Sequence, residues 1–428
     1  MAASKPAAAH PVGLWGAVAI GVGGMVGGGI FAVLGLSVQI TKGAAPLAFL
    51  LAGLVALLTA RSYALLSKAY PSRGGTVTFL NRTFGAGLFS GGINVLLWLS
   101  YIVMLALYAQ AFGSYAASFL PASTHTLDKH VFLTAAIVVI TVVNVTGAST
   151  VARAERVIVA IKIAILVLFV AVGVAGVSSE RLAPAQWSAP VSLIAGGMII
   201  FLAYEGFELI ANAAEDVADP ARVLTRAYYI SVLFVIALYV AVAVVSVGSL
   251  PLSMLTNARD YALAEAARPA LGAAGFAMIG IAAMLSTASA INATLYGSAR
   301  MTYTIAKSRE LPAQLDRPIW HQPLEGLLIT AAATVILANA LDLASISTMG
   351  SAGFLIIFAA VNLAEAHTAR RRGSARWISA AAAECVAALA ALVAKSSLGS
   401  VSVLVGLVAL SFGIEATFRK VSGRPIHA

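Results

Sequence analysis

Lys162 sits eight residues into an apolar run of about 25 residues (154–178). A lysine at the centre of a membrane span costs about 2.5–3.5 kcal/mol, so it must either be held by partners or snorkel to an interface. At 1.5 Å per residue it lies about 12 Å from the start of the run, so partial snorkelling stays open. Two carboxylates, Glu205 and Glu208, stand within the apolar octapeptide Phe201–Glu208 (FLAYEGFE). At such depth a carboxylate has to be paired, protonated or turned to a water-filled cavity. Ser286 and Thr287 open a small polar stripe that continues to Asn292. Six of the nine residues from Gly21 to Gly29 are glycine, each costing roughly 1 kcal/mol relative to alanine in a helix. A run this dense breaks a helix and frees backbone N–H and C=O groups, although Gly23/Gly27 and Gly24/Gly28 also fit close helix packing. Freed backbone groups, one ammonium and a few carboxylates suit the binding of ions and zwitterions. Catalysis is not implied, because all six histidines (10, 125, 130, 321, 367 and 427) fall in loops or tails. Within the spans no His/Cys/Asp cluster could hold a metal or form a triad. The expectation is a protein that is not an enzyme and needs no metal or cofactor.

These residues must be positioned by membrane helices. The chain has 428 residues, 60% of them hydrophobic and only 10% charged, well below the share of about 25% in soluble domains. Twelve apolar segments of roughly 17–35 residues can be counted, against about 20 needed to span. They lie near 12–38, 44–67, 87–119, 131–148, 154–178, 191–213, 223–249, 272–307, 325–341, 344–366, 375–395 and 398–418. Segment eleven carries Glu384, to which no role is assigned. Cys385 is the single cysteine, so no intrachain disulfide forms. The first apolar segment is too long for a signal-peptide core.

The net charge of +10 is explained by topology and calls for no nucleic-acid partner. With the N-terminus cytoplasmic, twenty of the 27 lysines and arginines fall on the inside, including Lys5, Arg61, Arg73, Arg222, Arg309, Arg317 and Arg370–Arg372. Six fall outside, among them Lys42, Lys129 and Arg259. The bias places both termini in the cytoplasm of a multi-pass protein of the cell membrane. Segments one and six have interrupted helical character and lie five apart. Such a pair points to two five-span repeats of opposite orientation. The reading is an all-α membrane protein with broken helices 1 and 6. It divides into a tail (1–11), repeat one (12–178), repeat two (188–366), two peripheral helices (374–418) and a tail (419–428).

In order along the chain, Gly21-Val22-Gly23 with Gly27-Gly28-Gly29-Ile30-Phe31, Pro71 with Gly74-Gly75, and Tyr204 with Gly206-Phe207-Glu208 stand out. Glu215 with Pro220, and Leu285-Ser286-Thr287 with Asn292 leading to Arg300, complete the set. Together they resemble the amino acid–polyamine–organocation (APC) permeases, which have the leucine-transporter fold of 5+5 inverted repeats. The resemblance covers about residues 12–366. Departures are Val77 and Phe79 where tyrosines are common, Thr225 where a proline is common, and Glu205 in place of an apolar residue. Leu202 stands near the family's aromatic substrate lid, leaving Phe201 as a second candidate.

A zwitterion needs donors for its carboxylate and acceptors for its ammonium. Freed N–H groups at Gly28 and Gly29, beside Gly27, face the carboxylate with favourable helix polarity. Freed carbonyls at Met25, and around Phe201, Tyr204 and Glu205, accept from the ammonium. The resemblance implies the same assignments. Tyr101 on segment three is a further candidate, although aromatics there also serve packing. For Lys162 the resemblance implies an ammonium replacing a sodium ion between segments one, five and eight. Val22 or Met25, with Ser286 and Thr287, would surround it. Glu205 reads as a counter-charge for cationic substrates, as a proton-coupling carboxylate, or as a structural partner of a neighbouring hydroxyl or amide. Glu208 reads as a brace of the broken helix. The function so implied is a sodium-independent, proton-coupled transporter of amino acids working by alternating access. The alternative is a transporter or exchanger of cationic amino acids, polyamines or other amines. Partners are the small-molecule substrate, the proton and membrane lipid.

Overall fold

The computed structural model describes residues 12–121, 124–146, 151–307, 324–370 and 378–422. The expected tail at 1–11, part of that at 419–428, and the basic residues Lys5, Arg309, Arg317, Arg371, Arg372, Arg376 and Arg424 lie outside them. So do His10, His321 and His427, whereas His125, His130 and His367 lie within helices and not in the loops expected for them. Among the described residues the regular structure is helical, and the only extended pairings are two isolated bridges.

The glycine run divides segment one into α1 (Leu14–Met25) and α2 (Gly29–Thr41), bent by 46°. Then follow α3 (Ala45–Ala69), α4 (Gly75–Phe84), α5 (Leu88–Ala117), α6 (His125–Thr146) and α7 (Val151–Gly173). Segment six begins as α8 (Pro190–Ile199) and continues as a tighter 3₁₀ helix over Phe201–Glu208. Beyond it run α9 (Pro220–Ser249), α10 (Arg268–Lys307), α11 (Leu324–Ala340), α12 (Leu343–Arg370), α13 (Ile378–Lys395) and α14 (Leu398–Val421). Among the described residues nine helices are long and apolar enough to cross a membrane, and the bent α1–α2 pair makes a tenth. The protein is an integral membrane protein. Helix α4 was not legible as an apolar segment because it is amphipathic. Thr76, Val77, Phe79 and Leu80 are buried while Arg82 is exposed.

Two groups of helices position the site. Helix α3 lies along α9, and α1 packs on α9 and on the 3₁₀ segment. Helix α5 is buried over nearly its whole length and is surrounded by α6, α10, α11, α12 and α14. The loops tie the ends. Val12 pairs with Val217, and Arg73 grips Asp216 with Nε at 3.2 Å and a second guanidinium nitrogen at 2.7 Å. At the opposite end Lys129 donates to Asp260 at 2.7 Å, and Ser114 donates to the same oxygen at 3.0 Å. Gln39 of α2 donates to the Thr256 carbonyl at 3.2 Å, closing the α9–α10 connection over α2.

Candidate substrate site at the two helix breaks

The last carbonyls of a helix lack intrahelical partners, so those at the end of α1 must find others. Five carbonyls at this end have identified donors. Val22 is taken by the Val26 N–H at 2.8 Å, which closes the final turn. Gly23 accepts from the Lys162 ammonium at 3.3 Å. Met25 accepts from the Tyr239 hydroxyl at 2.6 Å, and Tyr239 also reaches the Ala203 carbonyl at 3.4 Å. Ser286 of α10 donates to the carbonyls of Val26, at 3.3 Å, and Gly27. Lys162 therefore meets Gly23, between the two residues expected from the sequence, Val22 and Met25. It is 3% exposed, so it does not snorkel, and a cation at the negative end of the α1 dipole is favourably placed. On the same helix Val157 and Ile161 are exposed as a lipid-facing surface would be, while Val159 packs towards Gly23.

Segment six differs from expectation in kind. Its interruption is a change of winding, from 3.6 to three residues per turn, and no residue there has positive φ. The polar groups freed where the windings meet are taken by α12. Ser347 and Ser351 both donate to the Ile199 carbonyl at 2.7 Å, and Ser351 accepts the Leu202 N–H at 3.1 Å. Replacing Ser351 with alanine leaves the Leu202 amide buried without this acceptor. The expected loss is about 1–3 kcal/mol of stability, read as a lower melting temperature in detergent, whereas Ser351→Thr keeps the hydroxyl and most of the stability.

The two breaks touch at glycine. A Cβ on Gly24 would stand 2.6 Å from the Gly206 carbonyl oxygen, and one on Gly206 would stand 2.6 Å from that of Gly24. A Cβ on Gly29 would stand 2.8 Å from the Ala203 Cα. No side chain fits between these backbones, so the glycines serve close approach as well as helix breaking. Gly27 and Gly28 are walled by Tyr108 and by α10, where the Thr287 methyl would lie 2.8 Å from a Cβ on Gly28. The Thr287 hydroxyl is turned to the Ala283 carbonyl of its own helix at 2.7 Å. The first N–H groups of α2, at Gly29 and the residues after it, have no intrahelical acceptor. They face the carbonyl-rich end of α1 across a gap of three residues, an arrangement with a positive and a negative pole.

Other expected site residues are placed elsewhere. The Tyr101 hydroxyl donates to Glu208, and its ring packs on Phe354 with centroids 5.9 Å apart. Phe201 packs edge-on against Phe358 at 5.8 Å, and Leu202 lies against Gly350 and Val103. Both point towards α12 and α5, so neither covers the break in this structure. The Tyr204 hydroxyl donates to the Phe49 carbonyl of α3 at 2.9 Å. Glu208 also accepts from Tyr63 at 3.1 Å, and Tyr63 is bonded to Thr76 at 2.8 Å, so Glu208 braces the 3₁₀ segment against α3, α4 and α5. Glu205 is 4% exposed, and its Oε1 has no hydrogen-bond partner.

Two residues at the break were not singled out as site residues from the sequence. Tyr108 lies seven residues after Tyr101, on the same face of α5 two turns along, and that spacing could have flagged it. Tyr239 sits in an otherwise apolar stretch of α9 (232–245), and nothing in its neighbourhood announces that its hydroxyl closes the α1 break.

Among known proteins the chain is 37% identical over 359 residues to the inner membrane transport protein YbaT of Escherichia coli, covering 82% of each. It is 28% identical over 365 residues to the methylthioribose transporter of Bacillus subtilis, covering 81% of this chain and 78% of the relative. It is 24% identical over 365 residues to the branched-chain amino acid permease BcaP of Bacillus subtilis, with the same coverage. Residues 12–418 match the family described as amino acid permease, a span that includes both breaks, Lys162 and the serines of α10 and α12. The chain belongs to the amino acid permease family, and so to the transporters and not to the enzymes.

Proposed function

We propose that the chain carries amino acids across the cytoplasmic membrane as a sodium-independent, proton-coupled secondary transporter. The observation that carries this reading is the Lys162 ammonium on the Gly23 carbonyl, a fixed cation built into the break. A lysine there supplies the positive charge that a bound sodium ion would otherwise bring, and it can exchange a proton during a cycle. The substrate carboxylate is bound by the amides at Gly28 and Gly29. Its ammonium is bound by carbonyls around Met25 and the Phe201–Glu205 segment, with Ala203 and Tyr239 nearby.

Twelve spans are arranged as inverted repeats 12–178 and 188–366 with two peripheral helices at 374–418, and both termini are cytoplasmic. Alternating access is a rocking of segments one, two, six and seven against the others. The close packing of α3 and α1 on α9 supports a moving unit of this composition. Exposure supports access from the α1 side: Gly23 and Gly24 are half-buried, whereas every residue from Met25 to Val38 is buried. Relatives include proteins named for branched-chain amino acids and for methylthioribose, so family membership alone leaves the substrate side chain open.

Binding tests the substrate class. In sodium-free buffer, amino acids at about a hundred times their Kd stabilise the purified protein by about 2.7 kcal/mol, and agmatine or polyamines do not. The methyl ester of the same amino acid, which has no carboxylate, binds at least tenfold more weakly. Equal stabilisation by polyamines lacking a carboxylate would overturn the assignment of the Gly28–Gly29 amides and favour the alternative of amine transport.

A further inference from the structure

We infer that Glu205 and Glu208 hold one proton between them, with Glu205 as the acid and Glu208 as the carboxylate, forming a proton-binding site distinct from Lys162. In an α-helix, side chains three residues apart are offset by about 60° around the axis; in a 3₁₀ helix they eclipse. The tight winding of Phe201–Glu208 therefore stacks these two carboxyl groups on one face, one turn apart. Both are buried, at 4% and 2% exposure. An ionised carboxylate only accepts hydrogen bonds, so two stacked on one turn of a buried helix repel each other unless one of them carries a proton.

The hydroxyl partners decide which group carries it. Tyr101 donates to Oε1 of Glu208 and Tyr63 to Oε2, so both Glu208 oxygens act as acceptors. Glu205 receives no such donors, and its Oε1 is buried with no partner, as the carbonyl oxygen of a neutral acid would be. The remaining groups around the pair are hydroxyls: the phenols of Tyr101 and Tyr108 from α5, Tyr63 from α3 and Tyr228 from α9, and Thr76 of α4. Helices α1 and α8 contain no titratable residue. Helix α12 presents Phe354 and Phe358 to this region, and its Glu365 and His367 follow about two turns beyond Phe358. Lys162 comes from α7 and meets α1 at Gly23, one residue before the Gly24 that abuts Gly206. The two proton sites thus flank one backbone crossing. On the amino acid reading, a neutral Glu205 keeps the break suited to a zwitterion, and loss of its proton adds the negative charge that would admit cationic substrates.

Infrared spectroscopy of the purified full-length protein reads the proton without any substrate. At neutral pH the wild type shows a carboxylic-acid C=O band, shifted in D₂O, that is lost in Glu205→Gln and kept in Lys162→Met. A band unchanged in Glu205→Gln, or absent from the wild type, overturns the inference. Should Glu205→Gln fail to fold, Glu205→Asp keeps an acid at altered geometry and is expected to move the band; an unmoved band overturns the inference equally. In the wild type, amino acid affinity is expected to fall as pH rises and Glu205 loses its proton, and a folded Glu205→Gln protein is expected to lack that fall. A pH profile identical to the wild type counts against the inference. If the band behaves as expected and no amino acid binds, the transport reading fails and the shared proton stands.

Discussion

Replacing Lys162 with methionine is expected to lower proton-driven uptake by about ten- to a hundredfold, while substrate affinity changes by less than about tenfold. Methionine has a similar length and no charge, so the variant keeps the packing between α7 and α1 and loses the ammonium on the Gly23 carbonyl. A hydrogen bond to a charged group contributes about 1.5–3 kcal/mol, and each 1.36 kcal/mol in a barrier is tenfold in rate. The amides at Gly28 and Gly29 and the hydroxyls of Tyr239 and Ser286 remain, which is why binding persists. The split is measured in proteoliposomes as uptake down an imposed pH gradient against counterflow of labelled substrate at equal pH on both sides. Loss of the first with survival of the second is the expected pattern, and undiminished gradient-driven uptake would refute the role of Lys162.

A second large effect is expected far from the break. Arg419 and Glu415 form an ion pair within α14 at 2.5 Å, with the arginine 1% exposed, and Arg419 also donates to the Ala86 carbonyl at 2.6 Å. The pair docks α14 on α5, where Gly91 leaves room for the Glu415 side chain and Gly92 for the Phe412 ring. Removing one member of a buried pair costs about 3–5 kcal/mol, because the other charge stays behind, whereas replacing both by apolar residues is often neutral. Arg419→Met is therefore expected to lower the melting temperature sharply or abolish expression. The double variant Glu415→Leu/Arg419→Met is expected to recover most of the stability. A double variant as unstable as the single one would show that the contact with Ala86 matters more than the charge pair.

The sequence made some of this legible for identifiable reasons. Glycine disfavours helix and also permits backbone contact, so Gly21–Gly29 marked both a break and the place where Gly206 approaches. A single charge in an apolar run is unambiguous, which made Lys162 conspicuous. The structure shows its ammonium on the Gly23 carbonyl, between Val22 and Met25, because the choice among these carbonyls depends on the rotation of α7 against α1. Segment six was less readable. Its sequence contains no proline, and Gly206 alone does not reveal a 3₁₀ winding. Over the seven steps from Phe201 to Glu208 that winding turns side chains about 140° further than an α-helix would. This rotation aims Phe201 and Leu202 at α12 and α5 and places Glu205 and Glu208 on one face. The serines that stabilise it, Ser347 and Ser351, lie about 150 positions away and carry no local signature.

Coupled movement of substrate and proton through the crossing of the two breaks is the core of the proposed mechanism. It is tested most directly by measuring labelled amino acid uptake and lumenal pH at once, in sodium-free proteoliposomes with an acidic exterior. Uptake accompanied by acidification of the lumen, with both lost on adding a protonophore, is the result predicted. Uptake that ignores the protonophore and requires internal substrate or external sodium would contradict it.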